Sequence, residues 1–270
     1  MKDYKLIFDA ECPMCARYSK TFIKIGMIDD NVREAYQEMS PTTCTLIDKN
    51  RARNEIALVN TKTGEVYYGI DSIFKVLANR FPILKSLFGF APFYWLMKKA
   101  YAFIAYNRKI IVPGDSIDDT CVPDFNLKYR VAYILFTWML TSIILTFYSD
   151  LLLGIVPKSR FLREFIICGG QIIFQAVIIH FIARGRVYQY LGNMMSISAG
   201  ASLILILPII IWKVFSISNP ILFATIFMLV VLMMLIEHIR RMKLIKISWI
   251  ASFSWVIYRI IVLTIILLKA

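Results

Sequence analysis

Two cysteines near the N-terminus have the spacing of a redox-active dithiol. Cys12 and Cys15 enclose two residues and follow an apolar segment, Tyr4 to Phe8, that predicts a short buried strand. Proline is favoured in the first turn of a helix, so Pro13 indicates that a helix begins here. A cysteine at a helix start lies near unpaired N–H groups and the positive end of the helix dipole, and both favour its thiolate. The spacing therefore predicts Cys12 as the nucleophile of thiol–disulfide exchange and Cys15 as the resolving thiol.

The cysteine pair has two other interpretations. A structural zinc site needs four ligands, so the pair would need two more. The other candidate ligands are Cys44, Cys121, His180 and His238, and none of them forms a second close pair. The second alternative is two inert thiols. No metal site is predicted, and the redox interpretation is favoured.

Two charged residues near the pair have alternative roles. Asp9, three residues before Cys12, either accepts protons during exchange or caps the turn by accepting backbone N–H bonds. Arg17, about one helical turn after Pro13, either stabilises a thiolate or is a solvated helix residue. Asp9 is retained as a candidate catalytic residue and Arg17 as a candidate supporting residue.

Three segments resemble motifs of the DCC family, also called DUF393. Phe8 to Cys15 resembles the family's opening pattern, Asp-Gly-x-Cys-x-x-Cys. Gly69 to Ser72 is similar to its Gly-x-Asp-Ala, and Tyr101 to Arg108 is similar to its closing Tyr-x-x-x-Ala-x-Asn-Arg. The resemblance spans residues 4 to 110, and it implies a thioredoxin-like α/β domain with thiol-disulfide oxidoreductase activity, without a known substrate.

The sequence also departs from the family's pattern. Ala10 stands where the family has glycine, a residue that readily adopts a positive φ in a turn. No proline lies between Pro41 and Pro82, so the cis-proline that many thioredoxin-like domains place opposite the dithiol is expected to be absent or altered. Asn107 and Arg108, in the closing motif, are expected to anchor the last helix to the domain rather than to act in catalysis.

The other elements of the N-terminal part are predicted from periodicity and turn residues. The helix from Pro13 is expected to run to about Gly26, with an apolar face formed by Met14, Tyr18, Phe22 and Ile25. The further elements are a strand at Val32 to Glu38, a hairpin of Ile56 to Asn60 and Glu65 to Tyr68, and helices at Asp71 to Arg80 and Phe93 to Asn107, with breaks at Phe81-Pro82 and Ala91-Pro92.

Charge and hydropathy divide the chain into two solvent classes. The last 140 residues hold only three acids, Asp150, Glu164 and Glu237, whereas the first 130 hold the other 15. Five apolar runs of about 18 to 22 residues follow, each long enough to cross a bilayer core of ~30 Å. They lie at about Val131–Tyr148, Phe165–Ala183, Met194–Phe215, Pro220–Ile239 and Trp249–Leu268. These runs predict a transmembrane bundle of about five helices.

The location of the dithiol follows from the first residues and the loops. The sequence begins without the apolar core of a signal peptide, and a modest excess of Lys and Arg favours placing the N-terminal part inside. We therefore expect an integral membrane protein, of a bacterial cell membrane, with its dithiol domain in the cytoplasm. The net charge of +13 is accounted for by basic loops between apolar runs, so no nucleic-acid partner is predicted.

Five polar residues of the membrane half are candidate site residues, because an ionisable group inside a span costs ~2.5–3.5 kcal/mol on insertion scales. Arg259 and Gln175 lie near the middle of two runs, at similar depth, where they could form a hydrogen bond; a structural polar contact between helices is favoured over a functional role. His180 and His238, the latter beside Glu237, end two runs of the same direction and are expected at one membrane face. The histidines either share a haem, metal or quinone ligand, or are unrelated interfacial residues.

These features predict three parts: a dithiol domain at residues 1–112, a linker at 113–128 and a helix bundle at 129–270. The favoured function is a membrane-anchored thiol-disulfide oxidoreductase that acts on a protein or small-molecule thiol or disulfide. One alternative is a transporter or assembly scaffold with a metal-binding or vestigial cysteine pair. The other couples the dithiol to a quinone in the bundle. No cofactor is required; a quinone or haem in the bundle is left open.

Overall fold

The computed structural model describes residues 1, 3–114, 123–159, 161–216 and 219–268. It divides into two compact units, Met1–Tyr129 and Arg130–Ala270. Residues 115–122 of the predicted linker, including Cys121, lie outside the described residues. The two units are described separately below.

A four-stranded sheet forms the centre of the first unit. Its strands are β1 (Tyr4–Phe8), β2 (Arg33–Ala35), β3 (Ala57–Asn60) and β4 (Val66–Tyr68). The order is β2-β1-β3-β4, with β1 parallel to β2 and antiparallel to β3, and β3 antiparallel to β4. The predicted hairpin is confirmed as β3 and β4. The strand predicted at Val32 to Glu38 is shorter, because 3-10 turns at Asp30–Val32 and Tyr36–Glu38 flank its three extended residues.

Both faces of this sheet are covered, since successive residues of a strand point to opposite faces. Leu6 of β1 packs in one apolar cluster with Leu58 and Val76, and Ile7 packs in a second cluster with Val59. Each of these side chains is at most 2% exposed. The last three residues of this central strand are thus buried, and its end is held firmly where the dithiol follows.

Six helices surround the sheet: α1 (Pro13–Lys24), α2 (Pro41–Leu46), α3 (Lys49–Asn54), α4 (Ile70–Arg80), α5 (Leu84–Phe88) and α6 (Ala91–Ile111). The break predicted at Ala91-Pro92 is wrong. Pro92 lies in the first turn of α6, where its missing N–H needs no partner. Ile25, predicted on the apolar face of the first helix, lies beyond the end of α1 and is 48% exposed.

The second unit contains long helices. They are α7, which begins in the first unit (Leu127–Ser149), α8 (Phe161–Ala183), α9 (Val187–Phe215), α10 (Pro220–Leu244) and α11 (Ile250–Leu268). Each of the five predicted apolar runs lies within or almost within one helix. The segment Asp150 to Val156, after the first run, is a 3-10 turn followed by an isolated bridge between Leu153 and Val156.

Four stretches of helix among the described residues are long and apolar enough to cross a membrane: Leu127–Leu152, Leu162–Phe215, Pro220–Leu244 and Ile250–Leu268. The second stretch, of 54 residues, contains both α8 and α9. The Tyr190 hydroxyl on α9 donates to Gln175 Oε1 on α8 at 2.8 Å, so the chain folds back at the turn between these helices. The long exposed apolar side chains of these helices are those of a membrane protein.

Candidate redox site

The two cysteines lie where β1 leads into α1. Cys12 caps the N-terminus of α1, Pro13 is its first residue, and Cys15 lies in its first turn. Ala10, in the turn between strand and helix, does not need the positive φ available to glycine: no described non-glycine residue of this unit has one. The connection therefore forms with alanine in the place of the DCC family's glycine.

The Sγ atom of Cys12 accepts a hydrogen bond at the start of α1. Its donor is the backbone N–H of Cys15, at 3.4 Å. The backbone carbonyl of Cys12 accepts the N–H of Ala16 at 3.0 Å, which begins the helical hydrogen bonding. Both cysteines are free, so the structure shows the dithiol form. A thiol that caps a helix in this way is stabilised as its anion.

The two thiols have opposite acidities. The hydrogen bond between the two side chains, the N–H of Cys15 and the charge of Arg108 together lower the pKa of Cys12 to about 6, against the opposing effects of burial and of Asp9. The pKa of Cys15 is raised far above its usual range, because that thiol donates to Cys12 and is buried. At neutral pH Cys12 is accordingly the thiolate and Cys15 the protonated thiol.

A buried ion pair lies beside the dithiol. Arg108 Nη2 is 3.3 Å from Asp9 Oδ2, and the two side chains are 7% and 3% exposed. The guanidinium also donates to the backbone carbonyls of Arg53 and Asn54, at 2.9 and 3.0 Å. Arg108 therefore joins α6 to the end of α3 and to the turn before Cys12. The anchoring predicted for this residue is present, and its charge additionally acts on the thiols.

Asp9 uses its other oxygen for local structure. Oδ1 accepts the N–H of Glu11 at 3.1 Å and the Nε2 amide of Gln37 at 3.0 Å. The Gln37 side-chain oxygen in turn accepts the N–H of Ala10 at 3.2 Å. These contacts match the capping role predicted for Asp9, whereas its role as a proton acceptor stays a prediction. Sequence reasoning missed Gln37, because only the pairing of β2 with β1 brings it to this turn.

The other two supporting residues lie away from the sulfurs. Arg17 is exposed on α1, and the cation that acts on the thiols is Arg108 instead. Asn107 donates from Nδ2 to the carbonyls of Phe103 and Tyr129, at 2.8 and 3.1 Å. Asn107 thus ties α6 to the beginning of α7, and the anchoring to the dithiol domain that was expected of it stays a prediction.

The dithiol is enclosed, and a cavity lies behind it. Cys12 is 1% and Cys15 5% exposed. The cavity, of about 240 Å³, is lined by residues that include Cys15, Tyr18, Phe22, Tyr101 and Arg108. Burial raises the pKa of both tyrosines, so they are neutral phenols at physiological pH. The phenol oxygen of Tyr101 accepts the N–H of Ile56 at 3.0 Å, which fixes this wall of the cavity.

The middle motif positions α4 against the sheet. Gly69 has φ +59°, and a Cβ atom there would lie 2.6 Å from Glu55 Oε2, so the position requires glycine. Ser72, where the DCC pattern has alanine, donates from Oγ to the carbonyls of Tyr67 and Ile56, at 2.7 and 3.3 Å. The serine is therefore well accommodated. Among the described residues there is no cis peptide bond.

Both described ends of the linker contact the dithiol domain. A Cβ atom on Gly114 would lie 2.8 Å from Pro13 Cδ, so the chain passes close to the first of the two residues between the cysteines. At the other end, the Asp124 carboxylate accepts from Arg53 at 3.0 Å and from Asn54 at 2.7 Å. The same two residues supply the carbonyls that bind Arg108, so the linker is attached close to the buried ion pair.

A small mixed sheet with a dithiol at the start of its first helix, followed by apolar helices long enough to span a bilayer, defines a membrane protein with a thioredoxin-like domain. The family description that matches residues 6–112 is DCC1-like thiol-disulfide oxidoreductase. These residues form a DCC1-like domain, which confirms the predicted family and fold class. No curated protein and no solved structure matches the chain.

The candidate polar residues of the membrane half are not all brought together. His238 is fully buried: its Nε2 is 3.1 Å from the Tyr190 hydroxyl and its Nδ1 is 3.0 Å from Ser252 Oγ. His180 is exposed and contacts the ring of Phe181. Within the described residues, no group of three or more His, Cys, Asp or Glu side chains could hold a metal ion. A haem or quinone in the bundle stays untested.

Gln175 and Arg259 have separate partners. Gln175 Oε1 accepts from Tyr190 and from Ser254, at 2.8 and 3.3 Å. The guanidinium of Arg259 lies 3.9 Å above the ring of Trp255. No hydrogen bond joins Gln175 to Arg259 in the described part of the chain, so the bond that their similar depth allows does not form there.

Glu237 binds two arginines of its own helix, Arg240 at 2.7 Å and Arg241 at 2.8 Å. Sequence reasoning missed Tyr190, a fully buried residue that bonds to both Gln175 and His238. The signal that could have found it is the polar character of the first part of α9, where Asn193, Ser196, Ser198 and Ser202 are also buried. Polar and small residues in an apolar helix mark helix–helix contacts.

Proposed function

We propose that this protein is a membrane-anchored thiol-disulfide oxidoreductase in which Cys12 attacks and Cys15 resolves. The observation that carries the proposal is the position of Cys12 Sγ, which caps α1 and accepts the N–H of Cys15. The lowered pKa of Cys12 and the raised pKa of Cys15 support this order, because the thiolate is the nucleophile in exchange.

The reaction proceeds in two exchanges. In the first, the Cys12 thiolate attacks one sulfur of a substrate disulfide; a mixed disulfide forms, and the other substrate sulfur leaves as a thiolate and takes up a proton. In the second, Cys15 loses its proton and attacks the Cys12 sulfur. The Cys12–Cys15 disulfide forms, and the second substrate thiol is released. The substrate gains two electrons from the dithiol, and its two protons come one from Cys15 and one from the solvent. An external dithiol, or two external thiols, returns the enzyme disulfide to the dithiol and is itself oxidised to a disulfide.

The ion pair between Arg108 and Asp9 supports the first exchange. Arg108 stabilises the Cys12 thiolate by its charge, and Asp9 keeps the guanidinium in place. Because the charge of Asp9 acts in the opposite direction on Cys12, the pair limits the stabilisation. A thiolate whose pKa lies near ambient pH combines a high anion fraction with high nucleophilicity.

The substrate is a thiol or disulfide of a protein or a small molecule, and the domain that bears the dithiol lies in the cytoplasm of a bacterial cell. The basic loops and the reduced thiols of that compartment support this location. Since Cys12 is 1% exposed, a substrate reaches its sulfur only when the residues that cover it move aside. A small disulfide needs less opening than a folded protein, so we expect it to react faster.

The test is to trap the mixed disulfide in the full chain. Cys15→Ser should accumulate a stable adduct at Cys12 with an aromatic disulfide or with glutathione disulfide, whereas Cys12→Ser should form no adduct at the pair. Cys44→Ser is the matched control and should behave as the wild type, because Cys44 is a separate free cysteine of the same domain. Full exchange activity in Cys12→Ser would exclude the proposal. Stoichiometric zinc bound through the pair would favour the scaffold alternative.

A further inference from the structure

A second cavity lies inside the membrane half. Its volume is about 410 Å³, and residues of all five helices α7 to α11 line it. Most of its wall is apolar, formed by residues such as Met194, Leu205, Phe227, Val230 and Leu263. We call it the bundle cavity. Its volume is in the range of ~300–1,000 Å³ that is typical of pockets for small molecules.

Three polar side chains lie in this apolar wall with atoms that have no hydrogen-bond partner among the described residues. These atoms are Thr141 Oγ1, Gln171 Nε2 and Arg259 Nε, from α7, α8 and α11. Thr141 is 5% and Gln171 8% exposed. All three groups can donate a hydrogen bond, and native proteins rarely leave such groups buried and unpaired. Three such donors in the lining of one cavity indicate a ligand that supplies oxygen acceptors.

The charge of the bundle cavity indicates that this ligand is an anion. Arg259 lies over the ring of Trp255 and has no described carboxylate partner. Two of the three acids of the last 140 residues are engaged elsewhere: Glu164 with Arg163 at 2.7 Å, and Glu237 with Arg240 and Arg241. The third, Asp150, belongs to the 3-10 turn after α7 and is not among the residues that line the cavity.

We infer that the bundle cavity binds an apolar chain with an anionic oxygen headgroup, either the carboxylate of a fatty acid or the phosphate of a lipid. The headgroup binds Arg259, whose planar guanidinium can donate two parallel hydrogen bonds to either anion. Gln171 and Thr141 donate to the remaining oxygen positions, and the chain lies along the apolar wall. This binding involves no redox step and does not depend on the function proposed for the dithiol.

The test uses the full chain in nanodiscs of neutral phosphatidylcholine and a brominated fatty acid, dibromostearate, as the probe. Bromine quenches tryptophan fluorescence on contact, and Trp255 lines the cavity. We expect saturable quenching by the acid. Its methyl ester, which has the same chain without the charge, should bind at least about tenfold more weakly, since a hydrogen bond to a charged group is worth roughly that factor or more.

Arg259→Met should weaken binding of the acid at least about tenfold. Arg240→Met is the matched control: it removes the same charge from a residue that is bound to Glu237, and it should leave binding of the acid unchanged. Trp255→Phe should remove the saturable signal. Saturable quenching by a brominated phosphatidic acid, without saturable quenching by the fatty acid, would identify the phosphate as the anion. Equal binding of acid and ester to the wild type would overturn the inference, even if Arg259→Met failed to fold. A neutral quinone that binds where neither anion does would overturn it too.

Discussion

Arg108 Nη2 lies 3.3 Å from Asp9 Oδ2, which joins two residues that are 99 positions apart in the sequence. The contact connects the last helix of the dithiol domain to the turn that leads into Cys12. Both partners are almost fully buried, so neither charge is compensated by water if the other is removed. The same guanidinium is the cation that acts on both thiols. Stability and reactivity of this domain are therefore coupled through one ion pair.

Removing one partner of this pair should destabilise the domain strongly. We expect Arg108→Met to lower the free energy of unfolding of the dithiol domain by about 3–5 kcal/mol, because a buried carboxylate is left without its cation. The double variant Asp9→Asn with Arg108→Met should lose less than the sum of the two single changes. The free energy of unfolding is measured by titrating the full chain with denaturant, with proteolytic cleavage of the dithiol domain as the readout of its unfolding. Additive losses would show that the two charges act independently.

The reactivity of Cys12 should depend on pH in a defined direction. The thiolate fraction rises with pH, so the rate of alkylation at Cys12 should increase through a midpoint of about 6, instead of the ~8.5 of an ordinary cysteine. Cys15→Ala should move the midpoint upward, because hydrogen bonding with the Cys15 side chain is the largest cause of the low pKa and alanine has no side-chain donor. Arg17→Met is the control and should leave the midpoint unchanged, since Arg17 is exposed and its charge is not among the causes.

Gly114 should be needed for the close approach of the linker to the dithiol. In Gly114→Ala the new Cβ would lie 2.8 Å from Pro13 Cδ and 3.0 Å from the Glu11 carbonyl, so the linker has to shift. We expect faster reaction of Cys12 with a bulky maleimide. Gly89→Ala is the matched control, because its Cβ would meet no atom closer than 3.5 Å. Identical rates in the two variants would show that the linker does not restrict access to Cys12.

Tyr190 should stabilise the helix bundle through its hydroxyl. Tyr190→Phe leaves Gln175 and His238 without a shared partner, and we expect a loss of about 0.6–2 kcal/mol, the range measured for hydrogen bonds between membrane helices. Thermal unfolding in detergent measures it. Tyr188→Phe, two residues earlier and 43% exposed, should cause a smaller change. An equal loss in both would argue against a special role of Tyr190.

The orientation of the dithiol domain can be measured with a maleimide that does not cross membranes. If the domain is cytoplasmic, Cys44 should be labelled only after the cells are permeabilised. A cysteine introduced at the exposed Lys158, in the segment between α7 and α8, should be labelled in intact cells, since α7 crosses the membrane between them. Labelling of Cys44 in intact cells would place the domain on the outside.

The sequence by itself determined the features that depend on neighbours along the chain. The position of Cys12 at a helix start follows from the strand before it and from Pro13, and the hairpin of β3 and β4 follows from alternation and turn residues. The apolar runs predicted the long helices in the same way, because a run of about 20 apolar residues is long enough to span a bilayer whichever helices it packs against.

Only the tertiary structure decided which distant residues meet. Sequence spacing made Arg17 a candidate cation for Cys12, yet the helix turns Arg17 outward while Arg108 reaches the site from α6. Membrane depth suggested that Gln175 and Arg259 bond to each other, yet the rotation of α8 and α11 gives them Tyr190 and Trp255 instead. Depth and spacing are properties of a single helix. Contacts depend on how several helices are rotated and packed against one another, and the packing of all the core side chains together determines that arrangement.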